Sequence, residues 1–386
     1  MTSTARNNRP SSQFMKDEYP TGKSDLFAAF MIRCTELADH RGAVAMITMQ
    51  SWMFLSSYEK LRVNLLDNQR ITSMLHLGPH AFDSIGGEVV SVTAFSLANL
   101  PVEAPEYVRE LPGAFIRLVE PKSATGKLDL FLDALRARGG ESQIQRVSRS
   151  GFITVPGEPI AYWLSEKMRS VFGEGDRLGE VAALSVGLQT GDNNRFLRLW
   201  WEVSSCRTAL ACTSREEAAS SGARWFPYNK GGEYRKWYGN QEHVVNWEND
   251  GREIVSFKPR AVIRNPSTYF SPSVSWSDIG AGDPSFRQFP AGFIHDVKGM
   301  SAFGTVDVLH HVVMLMNSNL SKEILRAIAP TVNFQIGDVG KVPVKVTPIA
   351  PQRVIELTQT SRLDWEHQER SWNFCHNPLI ALATLQ

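Results

Sequence analysis

The stretch Trp225 to Asn240 reads Trp-Phe-Pro-Tyr-Asn-Lys-Gly-Gly-Glu-Tyr-Arg-Lys-Trp-Tyr-Gly-Asn, setting six aromatic rings among three cations, Lys230, Arg235 and Lys236. Gly231 and Gly232 break any helix at its middle. Cations contact phosphate and rings stack on bases, so this mixture suits a surface that meets a polyanion carrying flat bases. An aromatic-rich loop packed on its own domain would have the same composition, because Trp and Tyr are usually buried at least in part. The segment Gln189-Thr-Gly-Asp-Asn-Asn-Arg195 adds the side-chain types that read base edges bidentately, with a plain solvent loop as the alternative. Lys298, beside Gly299, could hold a phosphate as a point charge or be an ordinary surface lysine. The candidate DNA-binding residues are Gln189, Asn193, Arg195, Tyr228, Lys230, Tyr234, Arg235, Lys236, Trp237 and Lys298.

No complete catalytic set accompanies them. His295, His310 and His311 lack the spacing of a triad or a metal site, and we read them as structural. Cys34, Cys206, Cys212 and Cys375 form no Cys-x-x-Cys pair, which argues against a zinc site and suits a reducing cytoplasm. The net charge of +1 excludes a global basic field, so any DNA contact must be local. Between Arg224 and Arg264 eight Lys/Arg face five Asp/Glu, a mild excess. No apolar run has the length of a membrane span, and the polar first 24 residues do not form a signal peptide.

The elements that must position these residues follow from periodicity. Residues 1–23 are polar and expected to be loose. Asp25 to Leu37 has helical spacing, with Leu26, Phe30 and Leu37 as its apolar face and Ser24 or Asp25 as cap. Gly42 to Met49 is a continuous apolar run that suits a central strand of a parallel sheet buried on both faces. Trp52 to Leu66 reads as helix, with Tyr58, Leu61, Leu65 and Leu66 on one side. Ile71–Leu77 and Glu88–Leu97 read as a hairpin at the sheet edge. Leu128–Arg138 and Glu158–Phe172 are helix candidates, the second with Ile160, Trp163, Leu164 and Met168 on one face. Residues from about 180 to 345 are rich in short strand-like runs and hold six of the ten Trp. Helices are expected over Val306–Asn317, Ser321–Ala329 and Pro351–Arg370.

Several stretches together resemble a known family. Asp25-Leu-Phe, Gly42-Ala-Val-Ala-Met-Ile, Gln50-Ser-Trp-Met-Phe and Tyr58-Glu-Lys-Leu-Arg are similar to the later motifs of adenine-specific DNA methyltransferases. In that family they follow the catalytic Asn-Pro-Pro-Tyr loop. Leu77-Gly-Pro-His-Ala-Phe82 through Val89 to Leu97 looks like the family's closing hairpin. Downstream, Gly187–Asn193, Trp225–Gly232, Val245–Gly251, Phe293–Phe303 and Asn333–Asp338 resemble the PglX-type methyltransferases of BREX phage-defence systems. The match covers most of residues 20–380 and is to the C-terminal part of that larger protein.

The resemblance implies an α/β fold: the C-terminal part of a class I, Rossmann-like methyltransferase sheet followed by an α+β target-recognition domain. The expected layout is a flexible N-terminus (1–23), part of the catalytic domain (24–100), a linker or helical region (101–180), the target-recognition domain (181–345) and a C-terminal helical region (346–386). It also implies S-adenosylmethionine as cofactor, duplex DNA as partner, an upstream catalytic segment or chain, other BREX proteins as further partners and no membrane association. Phe82 would pack against a flipped adenine and Asp25 would lie near the catalytic pocket; a core Phe and a helix cap are the plainer readings. The departure is that neither the cofactor-binding glycine motif nor Asn-Pro-Pro-Tyr occurs: Asn265-Pro266 continues with Ser-Thr and Asn377-Pro378 with Leu-Ile. The chain alone is therefore expected not to methylate DNA and to be poorly soluble. The alternatives are a non-enzymatic DNA-binding specificity subunit that pairs with a separate catalytic chain, and an inactive gene remnant.

Overall fold

The computed structural model describes residues 9–82, 90–137, 143–277, 283–328, 334–345 and 351–383. Val89, Asn333 and the other positions between these ranges lie outside the described residues. The chain divides into two compact units, Met1–Gly173 and Glu174–Gln386.

The first unit is built on one mixed sheet. Its strands are β1 (Ala43–Met49), β2 (Gln69–Gly78), β3 (Val92–Asn99), β4 (Gly113–Arg117) and β5 (Gln145–Val147), in the spatial order β1-β3-β2-β4-β5. β3 runs antiparallel between β1 and β2, with Ala43 opposite Ala98 and Met49 opposite Val92. β2 and β4 are parallel, with Ser73 beside Ala114. β1, β2 and β4 therefore share one direction. Helices α1 (Arg9–Glu18), α2 (Leu26–Leu37), α3 (Glu59–Asn68) and α4 (Ala124–Arg136) accompany the sheet. α3 buries Leu61, Leu65 and Leu66, as its spacing predicts. Trp52, Met53, Phe95, Phe115 and Tyr162 fill the core with them. Arg62 is buried there and donates to the carbonyls of Trp52, Leu55 and Gly157, so its guanidinium is satisfied by backbone acceptors.

Six expectations for this unit are corrected. Residues 9–18 are helical, not loose. Leu26, Phe30 and Leu37 lie outward at 51%, 53% and 68% exposure, while Ala28, Ala29 and Met31 form the buried face of α2. β1 pairs only with β3 among the described residues, and every second residue, Ala43, Ala45, Ile47 and Met49, is exposed; it is an edge strand, not a doubly buried central one. The β2–β3 pair is correspondingly interior, because β4 covers the far side of β2. Residues 101–173 are not a linker: β4 and β5 extend the same sheet; 158–165 forms no helix but turns that place Ile160 and Tyr162 in the core, and the helix there begins only at Glu166.

The second unit carries two four-stranded sheets. One has the order β13-β9-β10-β8, from β8 (Leu197–Leu199), β9 (Trp225–Asn229), β10 (His243–Asn246) and β13 (Ile294–His295). The other has the order β12-β11-β14-β7, from β7 (Ala183–Ser185), β11 (Ser273–Ser277), β12 (Phe286–Phe289) and β14 (Gly299–Phe303). A short ribbon pairs β6 (Asp176–Arg177) with β15 (Pro343–Val344). Phe196, Phe226, Tyr228, Trp247 and Phe270 form the core beside the first sheet. Helices α5 (Val306–Met316), α6 (Asn319–Ile328) and α7 (Pro351–Glu366) occupy the sequence positions expected for them, and α5 packs on β11, β12 and β14. No helix among the described residues is long and apolar enough to cross a membrane.

Candidate nucleic-acid interface

The loop after β9 is fixed from below. Asn229 Nδ2 donates to Ser275 Oγ at 2.7 Å, and the Gly231 amide donates to Asn229 Oδ1 at 3.2 Å. Gly232 donates to Ser277 Oγ at 3.1 Å, and that hydroxyl donates back to the Gly232 carbonyl at 2.9 Å. Gly232 has φ +137°, and a Cβ there would meet Asn240 Nδ2 at 2.7 Å, so the turn requires glycine. Arg287, fully buried, donates to the carbonyls of Glu233 and Arg235 and to Ser277 Oγ, and burial lowers its pKa to about 10. These bonds pin both ends of the turn to β11 and β12.

This frame decides which of the expected side chains can reach a ligand. Tyr228 is fully buried; its hydroxyl lies 2.6 Å from Asp296 Oδ2 and 3.1 Å from the Leu188 carbonyl, so it cannot stack on a base. Arg235 is ion-paired to Asp364 and lies 5.2 Å over the Trp365 ring. Lys236 Nζ donates to the Asn317 carbonyl at 2.8 Å, at the end of α5. The Trp237 backbone bridges β12, donating to the Phe286 carbonyl at 2.9 Å and accepting from the Gln288 amide at 2.8 Å. The side chains of Tyr228, Arg235 and Lys236 are thus engaged inside the unit, and Trp237 is held there by its backbone while its ring is half-buried. Cations and rings interleave here because the loop packs on α7 and β12. Tyr234, at 60% exposure, is the ring that the turn holds outward, and Lys230 is half-buried.

The Gln189 segment is built alongside. The Gln189 amide donates to the Val262 carbonyl at 2.9 Å, and Leu188 bridges Asp296. Gly191 has φ +75°, and its Cβ position would collide with the Arg260 backbone at 2.6 Å. Asp192 caps the short helical turn that follows, accepting from the Arg195 amide at 3.1 Å. Asn193 is exposed, yet its Oδ1 already accepts from Thr190 at 2.6 Å. Arg195 pairs with Glu253 at 2.8 Å and lies 5.1 Å from the rings of Phe196 and Phe257. Gln189 keeps an exposed side chain.

Asp296 draws these strands together. It bridges Leu188, its amide donates to the Asn229 carbonyl, and its carboxylate accepts from the Lys298 amide at 2.6 Å. Burial raises its pKa, while the Tyr228 hydroxyl and the charges of Lys230 and Lys298 pull the other way. Gln189, Lys230 and Lys298 therefore emerge at one end of the β9–β13 pair, around one buried carboxyl. Arg260, exposed and directly beneath the Gly191 turn, is a further cation there that periodicity does not mark.

In the first unit, Asp25 occupies the residue before α2 and its carbonyl accepts from Ala28 at 3.1 Å. Burial first, and the charge of Asp25 second, raise the Tyr58 hydroxyl to about 12. Phe82 is 42% exposed, four residues past the end of β2. Close to the ends of β1 and β2 lies a cluster absent from the sequence reading: His76 Nε2 is 2.8 Å from Gln50 Oε1, and His76 Nδ1 is 3.1 Å from the Tyr162 hydroxyl. Trp163 and Phe54 pack on His76 with ring centroids 6.0 and 5.9 Å away. The adjacent Tyr162-Trp163 pair was the signal, obscured by a helical reading of 158–172. For S-adenosylmethionine the described residues offer a poor fit: β1 leads into a turn, Gln50–Met53, whose Trp52 and Met53 are fully buried, and no glycine-rich strand-to-helix turn is present among them. Among the described residues no group of three His, Cys, Asp or Glu could hold a metal ion.

Comparison with known proteins agrees with the resemblance drawn from sequence. Residues 2–82 match the Eco57I restriction-modification methylase family. The chain is 38% identical over 381 residues to the adenine-specific methyltransferase PglX of Lacticaseibacillus casei (strain Zhang), covering 96% of this chain and 31% of that protein. It is 36% identical over 372 residues to the adenine-specific methyltransferase BrxX of Escherichia coli O9:H4 (strain HS), covering 95% of this chain and 29% of that protein. The chain thus spans about a third of the length of these curated relatives. Among solved structures, the Type IIL restriction-modification enzyme MmeI in complex with DNA superposes with a TM-score of 0.56 at 8% identity, over 96% of this chain and 48% of MmeI. Over almost its whole length the chain is similar to the C-terminal part of the adenine-specific methyltransferases PglX and BrxX.

Proposed function

We propose that the chain is part of a site-specific, S-adenosylmethionine-dependent adenine-N6 DNA methyltransferase of a phage-defence system, and that its second unit contributes target recognition. The observation that carries this reading is the emergence of Gln189, Lys230 and Lys298 at one end of the β9–β13 pair, on a chain whose relatives are adenine-specific methyltransferases. Two cations beside an amide supply a phosphate anchor and a base-edge reader. MmeI, which shares the fold, was solved with DNA, and this supports a DNA partner here.

The first unit would complete a Rossmann-like sheet. An antiparallel strand inserted between two parallel ones supports this, as does the open edge of β1 with exposed Ile47 and Met49. Such an edge is a template for pairing with a strand of another segment or chain. That segment would bring the cofactor site and the residues that hold the adenine amino group. The same open edge supports the second reading, a specificity subunit that pairs with a separate catalytic chain.

The test is fluorescence anisotropy of the full chain on duplex DNA across salt concentrations. Lys230→Ala with Lys298→Ala should weaken binding to all sequences and reduce the salt slope by about two, one per lost phosphate contact. An unchanged affinity and slope would show that this end of the sheet does not meet DNA.

A further inference from the structure

The cluster close to the ends of β1 and β2 has a polarity that its donors and acceptors determine. Gln50 Oε1 is an acceptor only and lies 2.8 Å from His76 Nε2, so that nitrogen carries the imidazole proton and donates it. His76 Nδ1 is then an acceptor, and the Tyr162 hydroxyl, 3.1 Å away, donates to it. Tyr162 is 1% exposed, where an unused hydroxyl proton would be costly. With its oxygen engaged, the Gln50 carboxamide turns its NH2 group, which has two donors, away from His76.

We propose that the Gln50 carboxamide donates to the acceptor edge of an unstacked nucleobase, aimed by a one-way relay from Tyr162 through His76. The proposal rests on reading the first unit as part of a DNA methyltransferase. Three features support it. Gln50 is the first residue past β1, and its amide is tied to the Ser91 carbonyl at 2.9 Å, so its backbone cannot drift. Ends of parallel strands are where α/β sheets take ligands. Half-buried Trp163 stands beside His76, ring centroids 6.0 Å apart, with the Arg117 guanidinium 5.3 Å over its own ring, and so forms an aromatic wall beside the relay. A neutral amide donor suits a ring nitrogen or carbonyl of a base, whereas a cation would favour phosphate.

His76 itself does not move a proton. Burial, with the charges of Arg117 and Lys127 against that of Glu120, holds its pKa down to about 3. The ring stays neutral in the working range and the polarity of the relay does not change. His76 and Tyr162 are positioning residues; Gln50 is the contact.

The experiment uses the full chain in two measurements. The first is 15N NMR of the imidazole. Wild type should show His76 with a pyridine-type Nδ1 and a protonated Nε2, and Tyr162→Phe should disturb that pattern; the opposite tautomer in wild type overturns the relay. The second is the ratio of affinities for a duplex with one extrahelical adenine and for the same duplex fully paired. Wild type should favour the bulged duplex. Gln50→Glu, which keeps an acceptor for His76 but removes the donors, should reduce the ratio about tenfold, and Tyr162→Phe about threefold, as expected for losing or misaligning one hydrogen bond. An unchanged ratio in Gln50→Glu makes the network structural only and overturns the proposal, while a preference for the bulge would still support the underlying reading. A wild-type chain that binds neither duplex removes that reading, and the proposal with it.

Discussion

Arg235 reaches across 129 positions of sequence to the carboxylate of Asp364 and rests on the neighbouring ring of Trp365, so a cation expected at a DNA surface instead ties its loop to α7. With only 16% of its side chain exposed and its Nε donating to the Tyr238 carbonyl at 3.4 Å, Arg235 has three partners and little room for another.

Arg235→Ala should therefore act on stability. Loss of the ion pair and the ring contact is expected to cost about 1–2 kcal/mol, measured by chemical denaturation. The slope of DNA affinity against salt should stay as in wild type. A slope reduced by about one would return Arg235 to the phosphate-contacting set.

Gln189 should behave in the opposite way. Its side chain is exposed while its backbone is locked to Val262 on both sides, at 2.9 and 2.8 Å. Gln189→Ala is expected to leave the unfolding midpoint close to wild type and to flatten the preference between DNA sequences by about 1–3 kcal/mol at one base pair, read by competition binding over a randomised library.

Acid should destabilise the chain through buried histidines. His76 is lowered to about 3 and His295 to about 4, both by desolvation first. With folded values below the unfolded 6.5, the unfolded state binds more protons between 6.5 and these values. Stability is then fully present above pH 6.5 and is lost as pH falls through that window. At pH 5 each histidine should account for about 2 kcal/mol. His295→Asn should remove one share of the slope when urea midpoints at pH 7 and pH 5 are compared; equal slopes in wild type and variant would contradict this.

The exposed side of β1 should govern solution behaviour. Ile47 is 60% exposed beside Ala45 and Met49 on an edge strand, the arrangement that invites strand pairing. The chain is expected to self-associate on size-exclusion chromatography with light scattering, and Ile47→Lys should shift it towards monomer. A monodisperse wild-type monomer at high concentration would count against an open edge.

Local patterns reach as far as the identity of most elements. The spacing of Leu61, Leu65 and Leu66 places α3, the β-branched runs place β2 and β3, and the apolar periods over 306–328 place α5 and α6. Such periods are properties of neighbouring residues, so they are visible without the fold. Residue order also determined the family resemblance, because motifs are read along the chain.

Tertiary structure decided the rest, and for one reason: a side chain's role depends on partners that are distant in sequence. α2 has apolar residues on more than one side, and only packing against β1 selects Ala28, Ala29 and Met31 as its inner face. An Arg beside rings looks the same whether phosphate or Asp364 awaits it. Tyr228 and Asp296 meet across 68 positions, His76 and Tyr162 across 86, and neither pair leaves a local signature. Long-range partnerships fix the side chains of Tyr228, Arg235 and Lys236 within their unit, whereas those of Gln189, Tyr234 and Lys298 stand exposed.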